Sequence, residues 1–416
     1  MRKKIGLSLS LSGEYAAMGR QAEAAIRLFV ADANAAGGVR FGSEACELEL
    51  ECHDDASSPE RCAEIYRALC STHRADIVFG PYSSGLARAA APIAEAAGRL
   101  FVNHGGAGDE LYDRGNRLIV GILSPASDYM RPFVRMVSGL MLWRKRVAIV
   151  ASKSAFARAV ASGIESSAKE RRARRRGVRV RVKWSGAFEG DAMPQALFRA
   201  LMRNRVNVLV SAGSYEHDVA VMRAAVASNL DLTVLGCVAA GVHRFGADLG
   251  EAAEGIVGPS QWEPSLDVQP QLGPTLAQFV RRMRDSGGVE AVDYPAAQIY
   301  AAGLLTVAAI EAAGSLDDRR VRDAFSDLRT TTLFGDFEID RVTGRQHGHR
   351  MALVQWHRGR KMTIEPSAQA ETGSIDLPSG WQLILAGLDM LRLSRRDDSP
   401  QVGAEESNQE DRDQKS

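Results

Sequence analysis

Asp76–Ala97 reads DIVFGPYSSGLARAAAPIAEAA. Ile77-Val78-Phe79 is a short apolar run bounded by turn residues, the pattern of a buried strand. Gly80-Pro81 ends it, and Ser83 and Ser84 stand where an alanine-rich helix, Leu86–Ala97, begins. A helix start leaves its first backbone N–H groups unpaired at the positive end of the macrodipole. Serines there either cap the helix or aim hydroxyl and amide donors at an anion. No nearby residue is equipped to do chemistry on that anion, so the segment reads as a binding site.

The same strand–helix alternation extends outward in both directions. Ile5–Leu11, Glu47–His53, Ile77–Phe79, Leu100–Val102 and Ile119–Ile122 read as strands, with helices over Ala16–Ala36, Pro59–Thr72 and Leu86–Ala97. After residue 122 the alternation restarts. Helices are predicted over Ser127–Leu140, Ala155–Glu170, Pro194–Arg203 and Glu216–Ser228, and strands over Val147–Val150, Val178–Val182, Val206–Val210 and Thr233–Leu235. Three further helices (Pro274–Asp285, Pro295–Ala313, Leu316–Leu328) and a polar hairpin (Met351–Trp356, Lys361–Ile364) complete the folded part. Strands separated by helices of this length make parallel βαβ units, so the fold class is α/β with open, mostly parallel sheets. Ligands of such sheets bind beyond the carboxyl ends of the strands, where the loops Ser10–Gly13, Gly80–Gly85 and Asn103–Asp109 lie.

At 416 residues the chain is too long for one core and is expected to form two lobes. A net charge of +1 argues against general nucleic-acid binding. Cysteines 46, 52, 62, 70 and 237 are odd in number and lack C-x-x-C spacing, which fits free thiols and a reducing compartment. No secretion signal is read at the N-terminus, where Ile5–Leu11 alternates as a strand, and no apolar run reaches transmembrane length. For the chain as written this predicts a cytoplasmic protein, or a periplasmic one if the true start lies upstream. Beyond residue 366 a linker (367–393) carries a short amphipathic helix, Gly380–Leu393, with Trp381, Ile384, Leu388 and Leu391 on one face. Residues 394–416 are polar and expected to be disordered.

Other candidates read more plainly. Gly105-Gly106-Ala107-Gly108 lacks the third glycine of a dinucleotide loop and is expected to line a pocket with exposed backbone. His347, His349 and His357 match no metal-ligand spacing. Arg171–Arg176, without interleaved aromatics, reads as a solvated helix end. G-x-S-x-G, G-K-[ST] and H-E-x-x-H are all absent, so no nucleophile or base is identified and no cofactor is expected. An enzyme reading would have only His104 and Asp109 to draw on.

The segments IGLSLSLSGEYAAMG (5–19), NAAGGV (34–39), DDASSP (54–59), GPYSSG (80–85), ELYDRG (110–115) and EGIVG (254–258), with Gly344–Trp356, resemble the leucine/isoleucine/valine-binding family of type I periplasmic binding proteins. The resemblance spans about Lys4–Glu365. It implies two interleaved Rossmann-like lobes: 4–121 plus 259–333, and 122–258 plus 334–366. Three hinge crossovers, near 120–125, 256–261 and 332–336, would join them. It also implies no catalysis: the lobes close on a small ligand for an ABC permease, or signal to a partner as in a cytoplasmic amide-regulator type of sensor.

Carried over by position, the carboxylate-binding serine falls on Ser84, beside Gly85, and a backbone clamp on Gly106 and Ala107. Aromatic positions fall on Met18, on Phe156, and on Ser214 or Tyr215. The acid that pairs with an amino acid's ammonium falls at Val238. That missing counter-charge predicts a poor fit for a free α-amino acid unless Glu216, Asp218 or Asp109 substitutes. A small carboxylate or amide with an apolar or aromatic body fits better, with Asn103 and His104 expected to tune specificity.

Overall fold

In a computed structural model of the chain, residues 2–365 are described apart from 72–74, 114, 116, 141–143, 174–176, 187, 189–191 and 287–290. Residues 374–376 and 382–384 are also described. The first lobe runs β1 (Arg2–Leu9), α1 (Ala16–Ala35), β2 (Val39–Phe41), β3 (Glu44–Asp54), α2 (Pro59–Cys70), β4 (Ile77–Phe79), α3 (Ser84–Ala96), β5 (Phe101–Asn103), the single turn α4 (Glu110–Asp113) and β6 (Ile119–Gly121). Its sheet has the order β2-β3-β1-β4-β5-β6, parallel except where β2 turns back on β3. β2 has no counterpart among the strands expected from sequence, because Val39-Arg40-Phe41 is too short to show a period of two.

The second lobe runs α5 (Arg131–Gly139), β7 (Lys145–Ala151), α6 (Ala155–Ala173), β8 (Val178–Ser185), α7 (Gln195–Asn204), β9 (Val208–Ala212), α8 (Tyr215–Val226), β10 (Val234–Cys237), α9 (Arg244–Leu249) and β11 (Val257–Ser260). The chain then returns to the first lobe with α10 (Leu276–Asp285), α11 (Tyr294–Ala313) and α12 (Asp318–Asp327), followed by the small ladder β12 (Thr330–Thr332) and β13 (Gly335–Phe337). It finishes in the second lobe with β14 (Ala352–His357) and β15 (Arg360–Glu365), which extend that sheet to the order β15-β14-β11-β10-β9-β7-β8. The two lobes therefore interleave.

Local chemistry explains the helix starts. Ser58, Ser214 and Thr275 each accept a backbone N–H with the side chain at an N-cap, and Pro59 occupies the first turn of α2. The expected helix Ser127–Leu140 is divided: Ala126–Asp128 is one 3₁₀ turn, and α5 begins at Arg131 with Pro132 in its first turn. α11 is the one described helix long and apolar enough to cross a membrane by length and composition; it is largely buried, packing against α1 in the first lobe's core. All five cysteines are unpaired thiols. Within the expected helix Gly380–Leu393, residues Gln382–Ile384 instead form a strand, β17, antiparallel to β16 (Ser374–Asp376). There Leu383 sits opposite Ile375. The rest of that helix, the 394–416 tail and Arg174–Arg176 lie outside the described residues.

Candidate functional site

The loop after β4 is pressed against the loop after β5. Ser83 N donates to Gly105 O at 3.3 Å, and Tyr82 and Gly105 form an isolated parallel bridge. A Cβ on Gly105 would stand 2.5 Å from Pro81 O and 2.7 Å from Tyr82 Cα, so close backbone approach, and no phosphate, accounts for this glycine. Ser83 sits at φ +106°, a conformation costly for a residue with a side chain, and its hydroxyl caps α3 by accepting from Leu86 N at 3.3 Å. The two serines thus divide the labour. Ser83 caps the helix, while the Ser84 hydroxyl accepts from Ala107 N at 3.1 Å and keeps its own proton to donate.

Between the lobes lies a cleft with a cavity volume of about 340 Å³. The first lobe contributes Met18, Ser84, Gly85, Arg88 and Ala107, and the second Phe156, Tyr215 and Val238. The starts of α1, α3, α6 and α8 all border it, so several helix N-termini face the same space. Six aromatic rings line the walls: Tyr15, Tyr82, Tyr129, Phe156, Tyr215 and Tyr294. Sequence reasoning named only two of these. Tyr82, from the loop after β4, and Tyr294, the first residue of α11, have hydroxyls 2.6 Å apart and lie 212 residues apart in the chain, a pairing no local pattern announces. Tyr215 is fixed by its hydroxyl on Asp248 Oδ2 at 2.8 Å and by the Arg244 guanidinium 4.7 Å above its ring. Burial, then the adjacent Glu14 carboxylate, pushes the Tyr15 phenol up to about 12.

Of the residues expected at the site, Met18, Ser84, Gly85, Ala107, Phe156, Tyr215 and Val238 border this one cleft, while His104 and Gly106 do not. The His104 side chain is fully buried, and desolvation pushes its pKa down to about 3, so it is a neutral core imidazole. Gly106 packs on α3, where a Cβ would meet Ala87 Cβ at 2.5 Å. Asn103 is also withdrawn: its amide donates to Gly106 O and Tyr112 Oη, and its Oδ1 accepts from Gly106 N. A strand end is where ligands bind in such sheets, but here the β5 end is spent on shaping its own loop.

The acidic candidates sort by partner. Asp109 is held by Arg345 at 2.5 Å and by Ser127, away from the cleft lining. Asp218 borders the cleft, but its oxygens accept from Ser211 Oγ, Ala239 N and the backbone of Val238 and Gly213. Burial still raises its pKa to about 6. Glu14 and Glu216 are exposed at the rim from opposite lobes, and burial followed by the Glu216 charge raises the pKa of Glu14.

Side chains knit the crossovers together behind the cleft. Gln261, from the second crossover, accepts from Ser124 N at 3.1 Å and donates to Ser124 O at 3.0 Å in the first. Ser124 Oγ lies 2.7 Å from Nδ1 of His349, on the approach to β14, and the His349 ring stacks on Phe334 at 4.4 Å. Burial pushes His349 down to about 4. Tyr129 lines the cleft and hydrogen-bonds Gln261, so a ligand wall touches the crossovers directly. Deeper between the lobes, Lys361 of β15 reaches Glu263 at 2.8 Å and Asp293, the α11 N-cap, at 3.0 Å. Asp293 also holds His243 Nδ1 at 2.5 Å. Of the three histidines singled out in the sequence, His349 is in the crossovers, while His357 pairs with Glu254, so they do not form one site. No cluster of three metal-ligating side chains occurs among the described residues.

Known proteins share this arrangement. The chain is 23% identical to Leu/Ile/Val-binding protein homolog 7 of Brucella suis, an alignment covering 88% of this chain and 92% of that one. The substrate-binding protein LivJ of Streptococcus pneumoniae, solved with isoleucine, superposes with a TM-score of 0.72 at 20% identity, covering 88% and 100%. A solute binding protein of an R. palustris ABC transporter, solved with benzoate, superposes at 0.68 and 20% identity, covering 88% and 96%. The family model for periplasmic binding proteins matches residues 3–361. With two interleaved α/β lobes around an aromatic-walled cleft, the chain belongs to the periplasmic binding protein family.

Proposed function

We propose that this chain is a non-catalytic solute-binding protein for ABC-type uptake, closing its lobes on a small carboxylate with an apolar or aromatic body. The observation that carries this reading is the pairing of two cleft walls. One offers the free Ser84 hydroxyl proton at the start of α3, with Arg88 one turn along the same helix; the other offers Val238. Ser84, Gly85 and Ala107 are the groups assigned to the carboxylate. Met18, Phe156 and Tyr215 are assigned to its body.

An α-ammonium set against Val238 would need a carboxylate, and Asp218 is already committed to four donors. A buried cation without a partner costs several kcal/mol. Glu14 and Glu216 stay at the solvent rim, where a charge pair contributes little. The benzoate held by the R. palustris neighbour supports an aromatic acid, while the isoleucine of the S. pneumoniae one marks the competing class. The expected partner is a membrane permease that reads the closed form.

Isothermal titration with benzoate, benzamide and leucine tests the reading. Benzoate is expected to bind at least tenfold more tightly than leucine, and Ser84→Ala to weaken benzoate by about 10- to 100-fold, the range for a hydrogen bond to a charged group. Tight leucine binding with no response to benzoate refutes it.

A further inference from the structure

The far edge of the second lobe's sheet carries five guanidiniums that no described carboxylate neutralises. Arg146 on β7 lies directly opposite Arg179 on β8, and the register shift after Val147 leaves Arg181 as an extra residue beside them. Arg144 precedes β7, and Arg205 caps α7 in a left-handed conformation at φ +47°. Asn207 ties this corner together, accepting from Arg146 N at 2.9 Å and donating to Arg144 O at 2.8 Å. Desolvation and then the fields of Arg144, Arg181, Arg205 and Arg179 lower the Arg146 pKa, as expected of one mutually repelling group. A cation further along β8 is compensated: Lys183 pairs with Glu165 at 2.7 Å. Charges on an edge strand deter aggregation. That purpose covers Arg179 and Arg181 on β8, but not Arg146 on the inner strand or Arg144 and Arg205 off the sheet.

We propose that this arginine edge is the docking surface for the acidic stretch Asp397–Asp413 of the same chain. That stretch holds seven carboxylates (397, 398, 405, 406, 410, 411 and 413) against one arginine, Arg412. The chain leaves the second lobe at Glu365, on the last residue of β15. β15 and β8 are the two edges of a seven-stranded sheet, with five strands between them. Residues 366–396 join the exit to the acidic stretch. At up to about 3.3–3.6 Å per residue, that length of chain is long enough to reach across the sheet. Tethering on the same chain raises the effective concentration of the acidic stretch at this surface, so weak ionic contacts suffice.

The test compares the full chain with a full-length variant in which the seven acids are changed to Asn or Gln. Amide hydrogen exchange across 178–182 is expected to be at least threefold slower in the parent at 20 mM NaCl, with the difference gone at 500 mM. Titrated with a heparin oligosaccharide as polyanion probe, the parent is expected to bind at least tenfold more weakly than the neutralised variant. Changing Arg146, Arg179 and Arg181 to Gln in that variant should remove the gain. Equal exchange in parent and variant at low salt overturns the proposal, as does protection that appears only when protein concentration is raised, which would place the acidic stretch on a second copy. If the arginine variant fails to fold, the exchange comparison decides alone.

Discussion

Replacing Lys361 with Met tests the charge cluster between the lobes most directly. The Lys361 side chain is 2% exposed and its ammonium meets Glu263 Oε1, Asp293 Oδ1 and the Gly241 carbonyl at 2.8, 3.0 and 2.9 Å; the two carboxylates are 5% and 4% exposed. Met fills the volume but leaves two buried carboxylates without their shared cation, a change that typically costs 3–5 kcal/mol. The structure sets the magnitude more closely, because the variant has an escape. Asp293 keeps His243, while Glu263, whose pKa burial already raises from 4.5, can take up a proton. Holding a glutamic acid neutral at pH 7.5 costs about 1.4 kcal/mol for each of three pH units, or about 4 kcal/mol, which caps the penalty. At pH 5.5 the same cap is about 1.4 kcal/mol. A carboxyl whose folded pKa is raised weakens the fold as pH climbs from its unfolded pKa to its folded one, so the variant should recover as pH falls. Urea unfolding followed by tryptophan fluorescence at pH 5.5, 6.5 and 7.5 measures this against the parent. A loss below 1 kcal/mol at pH 7.5, or an equal loss at all three values, refutes the reasoning. Adding Glu263→Gln should restore most of the stability.

His349 supplies a second pH signature. Its folded pKa is depressed from 6.5 to about 4, so its contribution is intact above pH 6.5 and about 3 kcal/mol is lost as pH falls to 4; the difference in stability between parent and His349→Asn should show this slope, His104 and Asp218 being common to both. Gly105→Ala places a methyl 2.5 Å from Pro81 O, so ligand affinity measured by calorimetry should fall at least tenfold, and an unchanged affinity would free this loop from the site. Val238→Glu returns a carboxylate to the second jaw and should improve leucine binding at least tenfold while weakening benzoate; no change in the leucine-to-benzoate ratio would remove Val238 from the ligand's surroundings.

The alternating strands and helices were legible because each element buries one face, and burial imprints a period on the sequence. Pro59–Cys70 announces itself this way after Ser58, while Ile77–Phe79, buried at all three positions, shows instead as an unbroken apolar run ended by Gly80. What the residues alone did not yield was their assembly. α10–α12 follow the second lobe in sequence yet pack on the first, and only the family resemblance predicted that return. Within the site, Ser84 was findable because it lies at a helix start where donors converge, whereas Phe156 came only from the family resemblance. His104 misled because a polar residue at a strand end looks exposed, and only three-dimensional packing shows it enclosed. The Asp293–Lys361–Glu263 cluster was invisible, for its members are 98 and 68 residues apart along the chain and no local pattern joins them.

These long-range ties bear on how binding could alter lobe geometry. Three separate stretches pass between the lobes, and Ser124, Gln261 and His349 bond them to one another, so a change in one stretch is passed to the others. Tyr129 joins this group to the cleft through Gln261 and meets Phe156 edge to face at 5.4 Å. A ligand pressing on Phe156 therefore acts on a ring whose hydroxyl is anchored in the crossovers. Tyr129→Phe keeps the ring contact and removes the anchor. If the anchor couples binding to closure, the variant should keep ligand affinity within a few-fold while the change in radius of gyration on adding ligand, read by X-ray scattering, shrinks. A parent-like change on binding would show that the crossovers respond to the lobes alone.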